Sequence, residues 1–211
     1  MKGNSENKKE MKVNEVFASI QGEGRFVGRP TVFVRLSGCN MRCSWCDTPK
    51  SWGAGVERTV EDVAGDVESY GVSDVCITGG EPMLQKKEVL ALVRLLKKKK
   101  HRIVLETNGS IYDKAVFSAV DAVACDMKPP SSGEKSDERI LAKLSPKDYV
   151  KVVVADGRDL EYAKKIAEKS RVEVFLQPAD VGKIGWLAKE VLKQKIDARA
   201  LPQLHKIIGV K

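Results

Sequence analysis

Three thiols lie close together in one short segment of the chain. Cys39, Cys43 and Cys46 follow the spacing C-x3-C-x2-C. Side chains this close cannot all pack within one regular element, but a loop can turn them towards a single inorganic cluster. Ferredoxin-type clusters use four cysteine thiolates, so three thiolates would leave one iron open to another ligand. A zinc site is the competing interpretation, although structural zinc usually takes four protein ligands and a fourth is not obvious here.

The two remaining cysteines, Cys76 and Cys125, lie inside predicted strands, where an isolated cysteine is usually a buried packing residue. An odd total of five cysteines, behind a polar N-terminus without the apolar core of a signal peptide, does not indicate a disulfide framework. We therefore expect a reduced, cytoplasmic protein. No apolar run approaches the ~20 residues of a membrane helix, so no membrane association is expected.

The composition is that of a globular protein, with 42% hydrophobic and 31% charged residues. The net charge of +8 favours an anionic partner. Only 6% of the residues are aromatic, however, which argues against a base-stacking surface, so we expect no nucleic acid partner. The lysine run at residues 97–100 is interpreted as a solvated helix end, where cations complement the helix dipole.

Short segments rich in β-branched residues alternate with segments of helical periodicity, which predicts an α/β protein with a parallel sheet. The predicted strands span residues 31–36, 74–78, 102–107, 122–126, 149–155 and 172–177. Six βα units are too few for a closed eight-stranded barrel, so we expect an open, partial βα barrel of about six units. A doubly wound sheet is the alternative. One domain is expected over residues 12–211, after a flexible polar tail over residues 1–11.

Polar or glycine-rich residues follow most of the predicted strands. They are Gly38 with Cys39, residues 78–82, residues 106–109, residues 126–129, and Gln177 with Pro178. In both candidate architectures functional residues gather at the carboxyl ends of the strands. The pattern therefore predicts that one rim of one sheet carries the site.

The cysteine motif after the first predicted strand, together with Gly-Gly-Glu-Pro at residues 79–82 after the second, resembles the radical S-adenosylmethionine superfamily. The resemblance implies a 4Fe–4S cluster on Cys39, Cys43 and Cys46. It implies that the open iron binds the amino and carboxylate groups of S-adenosylmethionine, and that residues 79–82 lie at the methionine amino group. The implied fold is a full or partial βα barrel.

Three further segments narrow the resemblance. Residues 19–24 read Ser-Ile-Gln-Gly-Glu-Gly, Asp47 and Thr48 follow the last motif cysteine, and residues 201–206 read Leu-Pro-Gln-Leu-His-Lys. From about residue 12 to its end, the chain resembles the 7-carboxy-7-deazaguanine synthase family of queuosine- and archaeosine-type deazapurine biosynthesis. Glycines at positions 22 and 24 permit positive φ and close approach to a ligand, so Gln21 and Glu23 can bond a donor-rich heterocycle.

This resemblance implies a lyase that converts 6-carboxy-5,6,7,8-tetrahydropterin into 7-carboxy-7-deazaguanine, with release of ammonia and regeneration of S-adenosylmethionine. The implied partners are Mg2+, an electron donor such as flavodoxin or ferredoxin, and a second copy of the chain in a homodimer. Thr48 matches the magnesium ligand of the family, and a hydroxyl oxygen suits that hard cation.

The resemblance also assigns the other site residues. Substrate contacts match Ile20, Gln21, Gly22, Glu23, Arg35, Thr78 and His205. Contacts to S-adenosylmethionine match Trp45, Cys46, Asp47, Gly79, Gly80, Glu81, Asp126, Met127, Lys128, Gln177 and Pro178. Asp126 and Met127 stand where relatives are expected to carry Ser-Pro, so their contacts are expected to be altered or made by the backbone. Arg35 also fits on its own chemistry, since a guanidinium at a strand end can hold a carboxylate with two bonds.

The C-terminal segment is expected to cover the site. An open six-stranded sheet exposes one flank and the rim, and radical chemistry must be shielded from solvent. Residues 197–203 are expected to be extended and to deliver His205 to the rim. A frayed tail is the alternative.

Two other functions fit parts of the sequence. A small radical activase has the same cysteine motif and a similar length, but it acts on a glycine of a partner protein and does not explain residues 21–24 and 203–206. A zinc-bearing RNA-binding module explains the basic charge, but not Gly-Gly-Glu-Pro or a six-unit sheet. Iron and sulfide analysis separates the zinc module from the other two.

Overall fold

A computed structural model describes residues 9–211. The strands are β1 (Glu10–Ile20), β2 (Pro30–Leu36), β3 (Val56–Thr59), β4 (Asp74–Gly79), β5 (Arg102–Thr107), β6 (Ala122–Asp126), β7 (Tyr149–Val154), β8 (Glu173–Pro178) and β9 (Arg199–Ala200). They form one sheet in the order β3-β1-β2-β4-β5-β6-β7-β8-β9. Within the described part of the chain, no helix is long and apolar enough to cross a membrane.

Strands β2, β4, β5, β6, β7 and β8 run parallel and neighbour one another in chain order. They coincide with the six predicted strands to within one residue at each end. A doubly wound sheet reverses its strand order at a switch point, and this series of strands contains no reversal. The sheet is open, with β3 and β9 at its edges. The open, partial βα barrel is therefore confirmed.

Three strands were not predicted, and one of them changes the N-terminal boundary. β1 pairs antiparallel with both β2 and β3, and the short β9 extends the parallel series. β1 begins at Glu10, and Met11 is 1% exposed in the apolar core. The tail expected over residues 1–11 is therefore too long, because core packing and pairing with β3 order its last residues. Residues 1–8 lie outside the described part of the chain.

Helices connect most of the strands. They are α1 (Val60–Ser69), α2 (Lys86–Lys98), α3 (Lys114–Ala119), α4 (Gly157–Lys169), α5 (Ile184–Lys193) and α6 (Leu204–Ile208). The hydroxyl of Thr59 accepts a hydrogen bond from the backbone N–H of Asp62 (3.1 Å) and so caps the start of α1. The apolar faces of α1, α2, α4 and α5 pack with the sheet in one large core.

The two faces of the sheet carry different residues. Ile77 and Leu105 belong to the large core under the helices, whereas Cys76 and Val104 belong to small clusters on the opposite face, here called the inner face. Side chains alternate along a strand, so the next inner-face position lies two residues further on. Towards the carboxyl ends of β2, β4, β5 and β6 these positions are polar or charged: Arg35, Thr78, Glu106 and Asp126. Lys151, in the middle of β7, is paired with Asp126. The alternation thus concentrates charge at one rim.

Candidate active site

A cavity of about 220 Å3 opens at the carboxyl ends of the parallel strands. Its walls are the loop after β1, the cysteine loop after β2, the polar ends of the central strands, and the C-terminal segment. The predicted site residues that line it are Ile20, Gln21, Gly22, Glu23, Arg35, Cys39, Cys43, Trp45, Cys46, Asp47, Thr48, Thr78, Gly79, Gly80, Asp126, Lys128 and His205. The structure therefore brings the cysteine motif and residues 20–23 to one place.

The three motif cysteines are free thiols, each partly exposed on one side of the cavity. Burial raises the pKa of Cys39 and of Cys43, and the nearby charge of Lys128 acts in the opposite direction. Bound iron also lowers the pKa of a cysteine thiol, because a metal stabilises the thiolate. Between residues 9 and 211, no three Cys, His, Asp or Glu side chains converge on one point as ligands of a single ion. The three thiols lie on one loop at the cavity, and thiolates are the usual protein ligands of iron–sulfur clusters.

The other two cysteines, Cys76 and Cys125, are fully buried in the sheet. Burial raises the pKa of both thiols far above the ordinary value. Neither lines the cavity. They are therefore packing residues, as their positions inside strands indicate.

The loop after β6 is hydrogen-bonded to the cysteine loop. The backbone N–H of Ser44 donates to the carbonyl of Ser132 (2.9 Å), and the indole N–H of Trp45 donates to Ser131 Oγ (3.0 Å). The buried carboxylate of Asp159 in turn accepts from the N–H (2.9 Å) and the hydroxyl (2.5 Å) of Ser131. Asp159 could not be predicted from the motifs, because it lies in the first turn of α4, remote from each of them.

Gly79 and Gly80 bring the loop after β4 into contact with the cysteine loop. Gly79 has a φ of +138°, a region that favours glycine. A Cβ at Gly80 would lie 3.0 Å from Cys39 Cβ and closer still to the carbonyl of Gly38. The backbones therefore touch, and glycine is required at this contact.

Glu81 does not line the cavity, although a contact with S-adenosylmethionine was predicted for it. Its carboxylate is fully buried and accepts hydrogen bonds from Met83 N–H (2.9 Å), Thr107 Oγ1–H (2.7 Å) and Asn108 N–H (2.7 Å). Burial raises the pKa of Glu81, and these donors oppose that shift. The side chain therefore joins the loops after β4 and β5, which corrects the predicted contact.

Met127, Gln177 and Pro178 also lie outside the cavity lining. Met127 packs in the large core, because the alternation that turns Asp126 to the inner face turns the next residue away from it. Only its backbone could contact a ligand. Gln177 is fully buried beside Val153, which lines the cavity, and its amide N and O have no hydrogen-bond partner in the described part of the chain. Such an orphaned amide fits a site for a polar ligand.

Arg35 is anchored at one corner of the cavity. Its Nε donates to Glu15 Oε1 (2.9 Å), and its Nη1 donates to Thr48 Oγ1 (3.3 Å). Its Cζ lies 5.5 Å from the ring centroid of Phe17. The hydroxyl of Thr48 donates to Asp47 Oδ1 (3.0 Å). The guanidinium of Arg35 and the side-chain oxygens of Thr48 and Asp47 therefore lie together, and a guanidinium in this position suits the binding of a carboxylate.

Lys151, which the sequence analysis missed, is buried at the cavity with only 2% of its side chain exposed. Its Nζ lies 2.7 Å from Glu23 Oε2, 3.3 Å from Glu106 Oε1 and 3.8 Å from Asp126 Oδ2. Burial alone would lower the pKa of Lys151, but the three carboxylates raise it well above its ordinary value. Burial alone would raise the pKa of Glu23, but Lys151 lowers it from 4.5 to about 2. The two-residue alternation of β5 and β7 is the signal that could have found Glu106 and Lys151.

The C-terminal segment packs against the loop after β1. The side-chain N–H of Gln203 donates to Glu23 Oε1 (2.5 Å), and the N–H of Leu204 donates to the carbonyl of Gly22 (2.9 Å). A Cβ at Gly22 would lie 2.8 Å from Cγ of His205, so the two segments are in close contact. The chain continues from the edge strand β9, and His205 lines the cavity.

Known proteins of similar sequence and fold indicate the family of this chain. The sequence profile of the Radical SAM superfamily matches residues 33–129. The chain is 41% identical to the 7-carboxy-7-deazaguanine synthase of Methanospirillum hungatei, over 95% of this chain and 86% of the relative. It is 37% identical to the synthase of Thermoplasma acidophilum, over 94% of this chain and 97% of the relative. The fold is similar to the crystal structure of QueE from Escherichia coli, with a TM-score of 0.76 at 24% identity, covering 93% and 95% of the two chains. The chain belongs to the 7-carboxy-7-deazaguanine synthase family of the radical S-adenosylmethionine superfamily.

Proposed function

We propose that this enzyme converts 6-carboxy-5,6,7,8-tetrahydropterin into 7-carboxy-7-deazaguanine and ammonia, with S-adenosylmethionine and a 4Fe–4S cluster as cofactors. The proposal depends on one observation: the same cavity is lined by three free thiols and by the ion pair of Lys151 and Glu23. Residues 203–205 pack over residues 22 and 23 at this cavity, which favours a small-molecule substrate over the peptide segment of a partner protein.

Cys39, Cys43 and Cys46 would hold the cluster. S-adenosylmethionine would lie against Trp45, Asp47, Gly79, Gly80, Asp126 and Lys128. When bound, the two cofactors supply the one-electron chemistry that removes a hydrogen atom from the substrate and later returns it. Lys128 Nζ lies 3.5 Å from Asp126 Oδ2 and 5.6 Å from the ring centroid of Trp45, so opposite charges flank the cofactor position and offset each other.

Residues on the opposite side would bind the substrate. Gln21, Glu23 and Thr78 offer hydrogen-bonding groups to the polar edge of a pterin. Arg35 and a Mg2+ ion on Thr48 would hold the substrate carboxylate between two positive charges. His205 would close the site from the C-terminal segment. Because the carboxylate is fixed at one end and the pterin ring at the other, the carbon that bears the carboxylate is oriented towards the cofactor.

We also propose an electron donor, an oligomeric state and a cellular location for the enzyme. Flavodoxin or ferredoxin would reduce the cluster, two copies of the chain would form a homodimer, and the enzyme would work in the cytoplasm, where thiols stay reduced. Size-exclusion chromatography with light scattering tests the dimer, and replacement of dithionite by reduced flavodoxin tests the donor.

The experiment that tests the proposed reaction measures ammonia and pterin in the same anaerobic incubation. The reconstituted enzyme with S-adenosylmethionine, Mg2+ and a reductant should release one ammonia for each pterin consumed. Thr48→Ala should lower the rate, lose most of its response to Mg2+, and retain the cluster absorbance. Cleavage of S-adenosylmethionine without consumption of the pterin would contradict the proposed substrate. Equal wild-type rates in Mg2+ and in chelator would contradict the proposed role of the metal.

A further inference from the structure

Lys151 connects several of the charged side chains at the cavity. Its ammonium makes hydrogen bonds to Glu23 Oε2 (2.7 Å) and Glu106 Oε1 (3.3 Å), which take two of its three donor hydrogens. Asp126 Oδ2 lies 3.8 Å from the same nitrogen and 3.5 Å from Lys128 Nζ. Three carboxylates from three separate segments therefore share one buried cation.

The two carboxylates bonded to Lys151 retain acceptor capacity that faces the cavity. A carboxylate has about four lone-pair sites. Glu23 accepts from Lys151 and Gln203, and Glu106 accepts from Lys151 and Thr78 (2.9 Å). Both glutamates line the cavity. About half of the acceptor sites on each carboxylate are thus open to a ligand.

We propose that Lys151 is a positioning residue that fixes the carboxylates of Glu23 and Glu106 as paired acceptors for the cyclic guanidine edge of the substrate. This inference rests on the proposed pterin substrate. A pterin presents an amino group and a neighbouring ring N–H on one edge, and two such donors match two fixed carboxylates. Two of the three ammonium hydrogens of Lys151 go to the glutamates, so the positioning role does not require contact between Lys151 and the substrate.

The alternative is that Lys151 only neutralises buried charge. Without its cation, Glu23 and Glu106 would be two like charges in a buried site, and they would separate, rotate or take up a proton. A protonated carboxyl offers a donor where the pterin edge also offers donors. Loss of the cation should therefore weaken recognition of that edge, while a purely stabilising role would leave recognition unchanged in the protein that folds.

The test compares two ligands on the anaerobic, cluster-loaded enzyme: 6-carboxytetrahydropterin and its analogue without the 2-amino group. Wild type should bind the parent compound at least tenfold more tightly than the analogue. Lys151→Met should bind the parent at least tenfold more weakly than wild type and should distinguish the two ligands by less than threefold. Its affinity for S-adenosylmethionine should stay within threefold of wild type. Lys97→Met, which removes a lysine that bonds Asp121 (2.8 Å) away from the cavity, should match wild type in all three.

Two results would overturn the inference, and a third would contradict the proposed reaction instead. A folded Lys151→Met that keeps wild-type discrimination between the ligands overturns the positioning role. If Lys151→Met does not fold, Lys151→Gln repeats the comparison with a neutral but polar side chain. Equal binding of both ligands by wild type overturns the inference without any variant. Tight pterin binding by a wild-type enzyme that releases no ammonia contradicts the proposed reaction instead.

Discussion

The carboxylate of Glu81 ties two loops of the site together, and Glu81→Gln tests that connection. The carboxylate accepts from two backbone N–H groups and one hydroxyl, all within 2.9 Å. The glutamine amide keeps one acceptor oxygen, which can serve Met83 and Thr107, but it turns an N–H2 towards the N–H of Asn108. An unpaired buried N–H costs about 1–3 kcal/mol. Because burial raises the pKa of Glu81, removal of its charge offsets part of this cost.

We therefore expect Glu81→Gln to lower the free energy of unfolding by about 1 kcal/mol, and Glu81→Ala, which orphans all three donors, by about 3 kcal/mol. Urea unfolding of the reduced apoprotein measures both. The affinity for S-adenosylmethionine should fall in parallel, since Gly80 and Asn108 line the cavity on the two loops. Glu57→Gln on the exposed face of β3 should change stability by less than about 0.5 kcal/mol. Wild-type stability and affinity in Glu81→Gln would refute the reasoning.

Three further predictions concern other parts of the site. Gly22→Ala should displace the C-terminal segment, because its Cβ would overlap His205; limited proteolysis should cut that segment sooner, and unchanged proteolysis contradicts the contact. Asp159→Asn should loosen the cysteine loop through Ser131, so less iron should remain bound after gel filtration than in wild type. The pKa of Glu23 is lowered to about 2, so its contribution to stability is complete above pH 4.5 and is lost as the pH falls towards 2. Urea unfolding between pH 6 and pH 3 should show this loss, and Glu23→Gln should reduce it.

The six parallel strands could be predicted from sequence because each is buried on both faces and reads as a short β-branched run. β1 could not, since its burial alternates irregularly between exposed and buried positions and it directly follows a polar segment. A register shift near Glu15 disturbs the two-residue period further. The strand is fixed by its antiparallel partners, and that information lies elsewhere in the chain.

The site residues likewise could be predicted only where the sequence signal is local. The cysteine motif and residues 20–23 are recognisable because their residue types and spacing are local. Lys151 is hydrogen-bonded to Glu23, which is 128 residues away in sequence, and to Glu106, which is 45 residues away. The charge cluster therefore forms only in the folded protein. Glu81 illustrates another limit: the motif places its backbone at the site, but the direction of its side chain depends on the loop after β5.

Mass spectrometry of the reaction product tests the central claim most directly. Wild-type enzyme, reconstituted with iron and sulfide and incubated anaerobically with 6-carboxytetrahydropterin, S-adenosylmethionine, Mg2+ and reductant, should accumulate a compound with the mass of 7-carboxy-7-deazaguanine. Cys43→Ala under the same conditions should form none, whereas Cys76→Ala should retain the activity. A wild-type enzyme with a full cluster that cleaves S-adenosylmethionine but leaves the pterin unchanged would contradict the account.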